Sequence, residues 1–163
     1  MKTIATHIGG FLVIAALAVS TLAQAQEARE EQGPSPVRMD PDKMAGLGLT
    51  PIPNTGFVDI LVEGELEFTI ARLFSGEELQ VVVVESTPAK TDHRNRPLEY
   101  DEFVLVLDGK LVLTEQDGTR HEFTPGDAFV VPKGYTGTWE QHGRYRELAV
   151  IARQPESTGP EPE

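Results

Sequence analysis

Turn chemistry recurs about every ten residues through the middle of the chain, and that rhythm limits the fold more than any other feature. Asp108-Gly109, Asp117-Gly118 and Pro125-Gly126-Asp127 each separate short runs rich in β-branched, leucine and aromatic residues. The runs at Phe57–Val62, Glu67–Leu73, Leu79–Glu85, Glu99–Leu107, Lys110–Glu115, Thr119–Thr124, Ala128–Val131, Thr136–His142 and Glu147–Arg153 read as β-strands. The Asp-Gly pairs read as hairpin turns, because such pairs accept the positive φ angles that two-residue loops need. No segment here keeps a 3.6-residue apolar period. Short, evenly spaced strands in one unit predict an all-β sandwich or small barrel of the jelly-roll kind.

The flanks have a different character. Residues 1–25 carry Lys2, an apolar run from Ile8 to Leu22, and Ala23-Gln24-Ala25. That layout predicts a signal peptide cleaved after Ala25 and export to the periplasm or beyond. Residues 26–55 and 154–163 are rich in proline, glycine and charge, and predict a flexible arm and a disordered tail around a domain at 56–153. Removing residues 1–25 takes away one of the 14 basic side chains and none of the 26 acidic ones, so the formal net charge moves from −12 to −13. A surface of that sign repels phosphate backbones and anionic headgroups, which argues against nucleic acid and, once the leader is gone, membrane as partners. With no cysteine, the domain must hold together without disulfides.

Two motif halves stand at a telling distance. Glu102 precedes Gly109 in EYDEFVLVLDG, and Gly126 is followed by Pro132 and Gly134 in PGDAFVVPKG. They resemble the two short motifs of the cupin superfamily. With ESTP at Glu85–Pro88, GYTGTW after Lys133 and ELAVI at the end, the chain is most similar to the small cupins grouped with the ureidoglycine aminohydrolase cupin domain. The YDE triplet is also similar to the ethanolamine-utilisation cupin. The resemblance covers about residues 75–152 and implies a single cupin jelly-roll barrel and, as cupins often do, a homodimer.

The resemblance further implies a metal held by two histidines and a glutamate of the first motif and a histidine of the second, a donor set suited to divalent manganese, iron, zinc or nickel. Here the paired histidine positions fall on Asn95 and Pro97, or on Arg96 and Leu98, and the second-motif position falls on Gly137. Of the four ligands only Glu102 remains. The expectation is therefore no tightly held metal. His93 with Glu102 is the pair on which a metal such as manganese would have to depend, and His121 and His142 read as surface or hydrogen-bonded residues.

Strand alternation offers another constellation. If Glu102 points inward, Tyr100, Val104 and Val106 share its face. If position 137 also faces inward, so do Trp139 and Gln141, and the missing histidine would leave room there for a ligand. A carboxylate, a phenol, an indole and an amide over a valine floor make up a small-molecule site. Buried there, Glu102 would have a raised pKa and serve as general acid or base, with Tyr100 orienting it. The alternative is that Glu102 pairs with Arg94, Arg96 or Arg146 and only holds the barrel closed.

The chain lacks a cysteine nucleophile, a G-x-S-x-G elbow, a phosphate-cradling glycine loop and H-E-x-x-H. Ser75, Ser86 and Thr138 have no evident base beside them in sequence. The leading expectation is a cupin that binds a small polar metabolite, the nitrogen-containing class being implied by the resemblance alone. The rivals are a hydrolase acting on a C–N bond, similar to ureidoglycine aminohydrolase, and a structural or dimerisation barrel without a ligand.

Overall fold

The computed structural model describes residues 35–153, so the segment expected to be a signal peptide, residues 26–34 of the expected arm and the expected C-terminal tail lie outside the described residues. Nine strands follow a short helical turn: α1 (Pro41–Met44), β1 (Thr50–Ile52), a 3-10 turn (Thr55–Phe57), β2 (Leu61–Gly64), β3 (Phe68–Ser75), β4 (Leu79–Ser86), β5 (Ala89–Asp92), β6 (Glu102–Thr114), β7 (Arg120–Phe123), β8 (Ala128–Val131) and β9 (Thr138–Ala152). All strand pairs are antiparallel.

The architecture rests on the two longest strands. β6 and β9 pair along nearly their whole length, from Glu102 opposite Ile151 to Thr114 opposite Thr138. At one end this ladder continues through β4, β3 and β1 on one side and β8 on the other. At its other end it continues through β5 and β2 on one side and β7 on the other. Two half-sheets therefore share one spine, and the sheet curls into the half-barrel of a jelly roll. Val104, Val106, Leu111, Leu113, Val131, Trp139 and Tyr145 form the buried cluster inside the curl, with Phe123 and Phe129 stacked at 3.8 Å between β7 and β8.

The bend in the spine corrects the expectation at Asp108-Gly109. That pair makes no hairpin turn: β6 runs through it as one strand, and Glu99–Leu107 and Lys110–Glu115 are not separate elements. Register explains the difference. Asp108 lies opposite Arg146 and Lys110 opposite His142, so Gly109 alone faces three residues of β9, Gly143 among them. The bulge needs positive φ at Gly109 (+77°) and Gly143 (+71°), so the chemistry that suggested a hairpin serves a bent strand instead. β9 likewise merges the two runs expected at Thr136–His142 and Glu147–Arg153.

Other differences are local. Phe57 ends a 3-10 turn rather than starting a strand, and β2 begins at Leu61. β1 and β5 were not expected, β1 because Pro51 and Pro53 flank Ile52 and β5 because Ala89–Asp92 is short and polar. Within the segment read as an arm, Asp40 caps α1 through its carboxylate and Thr50–Ile52 pair with β3. Arg146 fastens this segment: its guanidinium bonds Glu85 (2.9 Å), Asp108 (3.0 Å) and the carbonyl of Met44 (3.3 Å).

Candidate functional site

Between the half-sheets lies a half-open cavity of about 160 Å³. β6 places Glu102 on its wall by the alternation that also buries Val104 and Val106. β9 contributes Trp139 and Gln141 before the bulge and Tyr145 and Glu147 after it, all on one face because the bulge preserves parity. Tyr100 enters from the segment before β6. The four residues expected to share a hollow, Tyr100, Glu102, Trp139 and Gln141, therefore do share one.

Glu102 is only 8% exposed. Arg94 pairs with Asp92 (2.8 Å), Arg96 with Asp59 (2.9 Å), and Arg146 with Glu85 and Asp108, so none of the three arginines considered as its partner is engaged with it. No hydrogen bond to its carboxylate is made among the described residues. Burial pushes its pKa up to about 8, and the nearby charge of Glu147 adds to the shift. Glu147, 7% exposed, is pushed up to about 7 by the same desolvation, partly offset by the Tyr145 hydroxyl, which donates to its Oε2 at 2.7 Å. The phenol that orients a carboxylate is thus Tyr145 acting on Glu147, not Tyr100 acting on Glu102. The Tyr100 hydroxyl is held in its neutral form up to about 12, by burial first and the charge of Glu102 second.

Trp139 and Gln141 serve each other. The Gln141 amide, oriented by its neighbours, donates to the carbonyl of Ala89 (2.8 Å) and accepts from Trp139 Nε1 (3.2 Å). Their polar atoms are used in fixing the wall, which leaves the indole to the cavity as an apolar surface. His93 is buried on the same wall, its Nε2 3.2 Å from Thr91 Oγ1, and desolvation lowers its pKa. Ser86, 4% exposed, lines the cavity with an Oγ that has no partner among the described residues.

Glu147, Tyr145 and Ser86 were missed in the sequence. Tyr145 and Glu147 share parity with Trp139 and Gln141 on β9, yet Gly143 interrupts the alternation that would have extended the reading from Gln141 to Glu147, and on β4 no recognised cavity residue pointed to Ser86. His121 and His142 lie outside, paired with Glu115 (2.7 Å) and Glu140 (3.0 Å). A wider surface groove of about 670 Å³ runs beside the β6–β7 turn, but the buried carboxylates are not part of it.

The fit to a metal fails on geometry. Among the described residues no three histidine, cysteine, aspartate or glutamate side chains converge. Gly137 offers no room for the family's histidine or for a ligand: a Cβ there would meet Tyr135 Oη at 2.2 Å and the carbonyl of Thr114 at 2.3 Å. The ring of Tyr135 fills the space expected to be free. Gly137→His should therefore lower stability by about 1–3 kcal/mol in urea unfolding, and manganese should not raise the melting temperature of the variant. A melting temperature that rises with manganese would show that the site can be rebuilt.

The EutQ-like cupin domain model matches residues 73–146. No curated protein matches the chain. Among solved structures, a protein of unknown function from Pseudomonas syringae is 24% identical, with a TM-score of 0.54, over 63% of this chain and 43% of its own length. The chain thus corresponds to less than half of that protein. The EutQ protein of Clostridium difficile is 20% identical over 60% of this chain and 79% of its own, with a TM-score of 0.48. A cupin superfamily protein from Desulfitobacterium hafniense is 20% identical over 57% and 84%, with a TM-score of 0.45. The likeness to the Pseudomonas syringae protein speaks for the fold alone. The matched segment holds both motif halves and the bend of the spine that joins the half-sheets, and over that segment the chain is similar to EutQ-like cupin domains.

Proposed function

We propose that this protein binds a small polar metabolite in the cavity between its half-sheets, without a tightly held metal. The observation that carries the reading is Glu102: a buried carboxylate, unpaired among the described residues, facing a cavity whose other walls are largely apolar and aromatic. An unsatisfied buried carboxylate is costly, and a barrel that merely needed packing would be more stable with an apolar side chain there. The cost is understandable when a ligand supplies the missing partner. Trp139 and Tyr100 provide flat faces for the apolar part of such a ligand.

A thermal-shift screen of polar metabolites tests this directly. A ligand at one hundred times its dissociation constant should stabilise the wild type by about 2.7 kcal/mol. The gain should shrink in Glu102→Gln and Trp139→Ala. No stabilisation by any compound would favour the structural barrel instead.

A second reading draws on the position of the Glu102 titration. A carboxyl that exchanges its proton near neutral pH is suited to general acid or base work. The resemblance to ureidoglycine aminohydrolase supports a hydrolase acting on a C–N bond. Release of ammonia from a compound that also stabilises the protein, abolished in Glu102→Gln, would promote that reading over simple binding.

A further inference from the structure

The charges that face the cavity have one sign. Glu102 enters from β6 and Glu147 from β9, and among the described residues no lysine or arginine lines the wall. The other titratable groups that face it are Tyr100, Tyr145 and His93. Both phenols are held neutral by burial, and desolvation disfavours the imidazolium of His93. Arg96, the cation that acts on Tyr100 and His93, turns its guanidinium to Asp59 and the carbonyl of Gly56. An anionic ligand would thus meet two carboxylates and no cation.

A second observation points to a hydrogen-bond donor as the occupant. Ser86 Oγ is buried on the cavity wall with no partner among the described residues. Glu102 also accepts nothing from them. Two acceptor sites and a hydroxyl await a group with several N–H or O–H donors, and an ammonium carries three donors with a full positive charge. The volume sets the size. A cavity of about 150 Å³ accommodates benzene, so one of about 160 Å³ suits a molecule of roughly six non-hydrogen atoms.

We propose that the cavity selects a small monocationic amine, its ammonium placed between Glu102 and Glu147 within reach of Ser86 and its carbon part lying against Trp139 and Tyr100. The inference rests on the cavity being the ligand site proposed above. It adds a specificity: amine over neutral or anionic compounds of the same shape.

Titration calorimetry of the purified protein at pH 7.5 with n-butylammonium, 1-butanol and butyrate decides the matter. The proposal expects n-butylammonium to bind at least about tenfold more tightly than either isostere. Glu102→Gln and Glu147→Gln should each weaken it by about tenfold or more, as loss of one partner of a buried charge contact does. The ranking of the three compounds is read on the wild type, so it does not depend on either variant folding. Binding of 1-butanol or butyrate as tight as that of the amine would overturn the cation preference and leave the cavity standing as a polar-ligand site. An amine affinity unchanged in both variants would place the contact elsewhere and also overturn the proposal. No heat from any of the three, joined to a metabolite screen without stabilisation, would remove both the amine and the cavity reading.

Discussion

Gly109→Ala is expected to cost about 4 kcal/mol or more, which for a domain of this size is a large share of its total stability. Two penalties combine at this position. The residue sits at φ +77°, where an L side chain loses about 1–2 kcal/mol by crowding its own backbone. The added Cβ would also fall 2.2 Å from the carbonyl oxygen of Arg144 and 2.9 Å from Tyr145 Cα, both main-chain atoms of the partner strand. Those atoms belong to the residues that turn β9 through the bulge, so they cannot retreat without opening the ladder from which the half-sheets extend. Gly118→Ala is the control. It shares the conformation, at φ +89°, but nothing lies within 4 Å of its Cβ position, so only the conformational penalty applies. Equilibrium urea unfolding of the two variants should show the first losing at least twice as much as the second. Equal losses would mean that the corner accommodates a methyl group and that the bend does not depend on close approach of the strands.

The second large effect is a stability that falls as pH rises. Both buried carboxyls have folded-state pKa values raised above the ordinary 4.5, Glu102 to about 8 and Glu147 to about 7. Between pH 4.5 and 8 the unfolded chain has lost these protons while the folded chain retains them. The folded state then binds more protons than the unfolded one, and the slope of stability against pH is negative. The contribution is fully present below about pH 4.5 and is lost as pH rises through about 7 to 8. Asp92, drawn down to about 2 by Arg94, works in the opposite sense, as do Asp117 and Asp127 with their turn hydrogen bonds. Their stabilisation is present above the ordinary aspartate range and is lost on acidification below it, so the optimum should lie near pH 4–5. Thermal melts from pH 4 to 9 measure the curve. Glu102→Gln should flatten it and be the more stable protein at pH 8. A wild-type profile without slope between pH 5 and 8 would show both carboxyls ionised in the folded state, and the cavity would not be the desolvated place described.

Much of this was legible from residue order. β3, β4, β7 and β8 fall close to their expected bounds, because each is a short run between clear turn signals. Alternation from Glu102 found Tyr100, and alternation from Gly137 found Trp139 and Gln141. What failed, failed at glycine. Asp108-Gly109 has the same local chemistry whether it closes a hairpin or bends a continuous strand, and only the partner strand, some thirty residues away, decides between them. Gly143 hid Glu147 in the same way. At Gly137 the absent side chain suggested empty space, whereas the ring of Tyr135, two residues earlier, turns back into it. Short polar β5 gave no pattern of its own and is a strand because β9 and β2 flank it.

The spine reaches beyond the segment that carries the family match. Residues 147–152 of β9 pair with β4 on one side and β6 on the other, and β1 with Phe68–Arg72 of β3 precedes the match altogether. A fragment trimmed to residues 73–146 would expose both long borders of β4, a valine-rich strand with Val82 and Val83 at its centre. Naked borders of that composition recruit any extended chain they meet, so such an excision should yield fibrous or amorphous precipitate rather than a miniature of the parent.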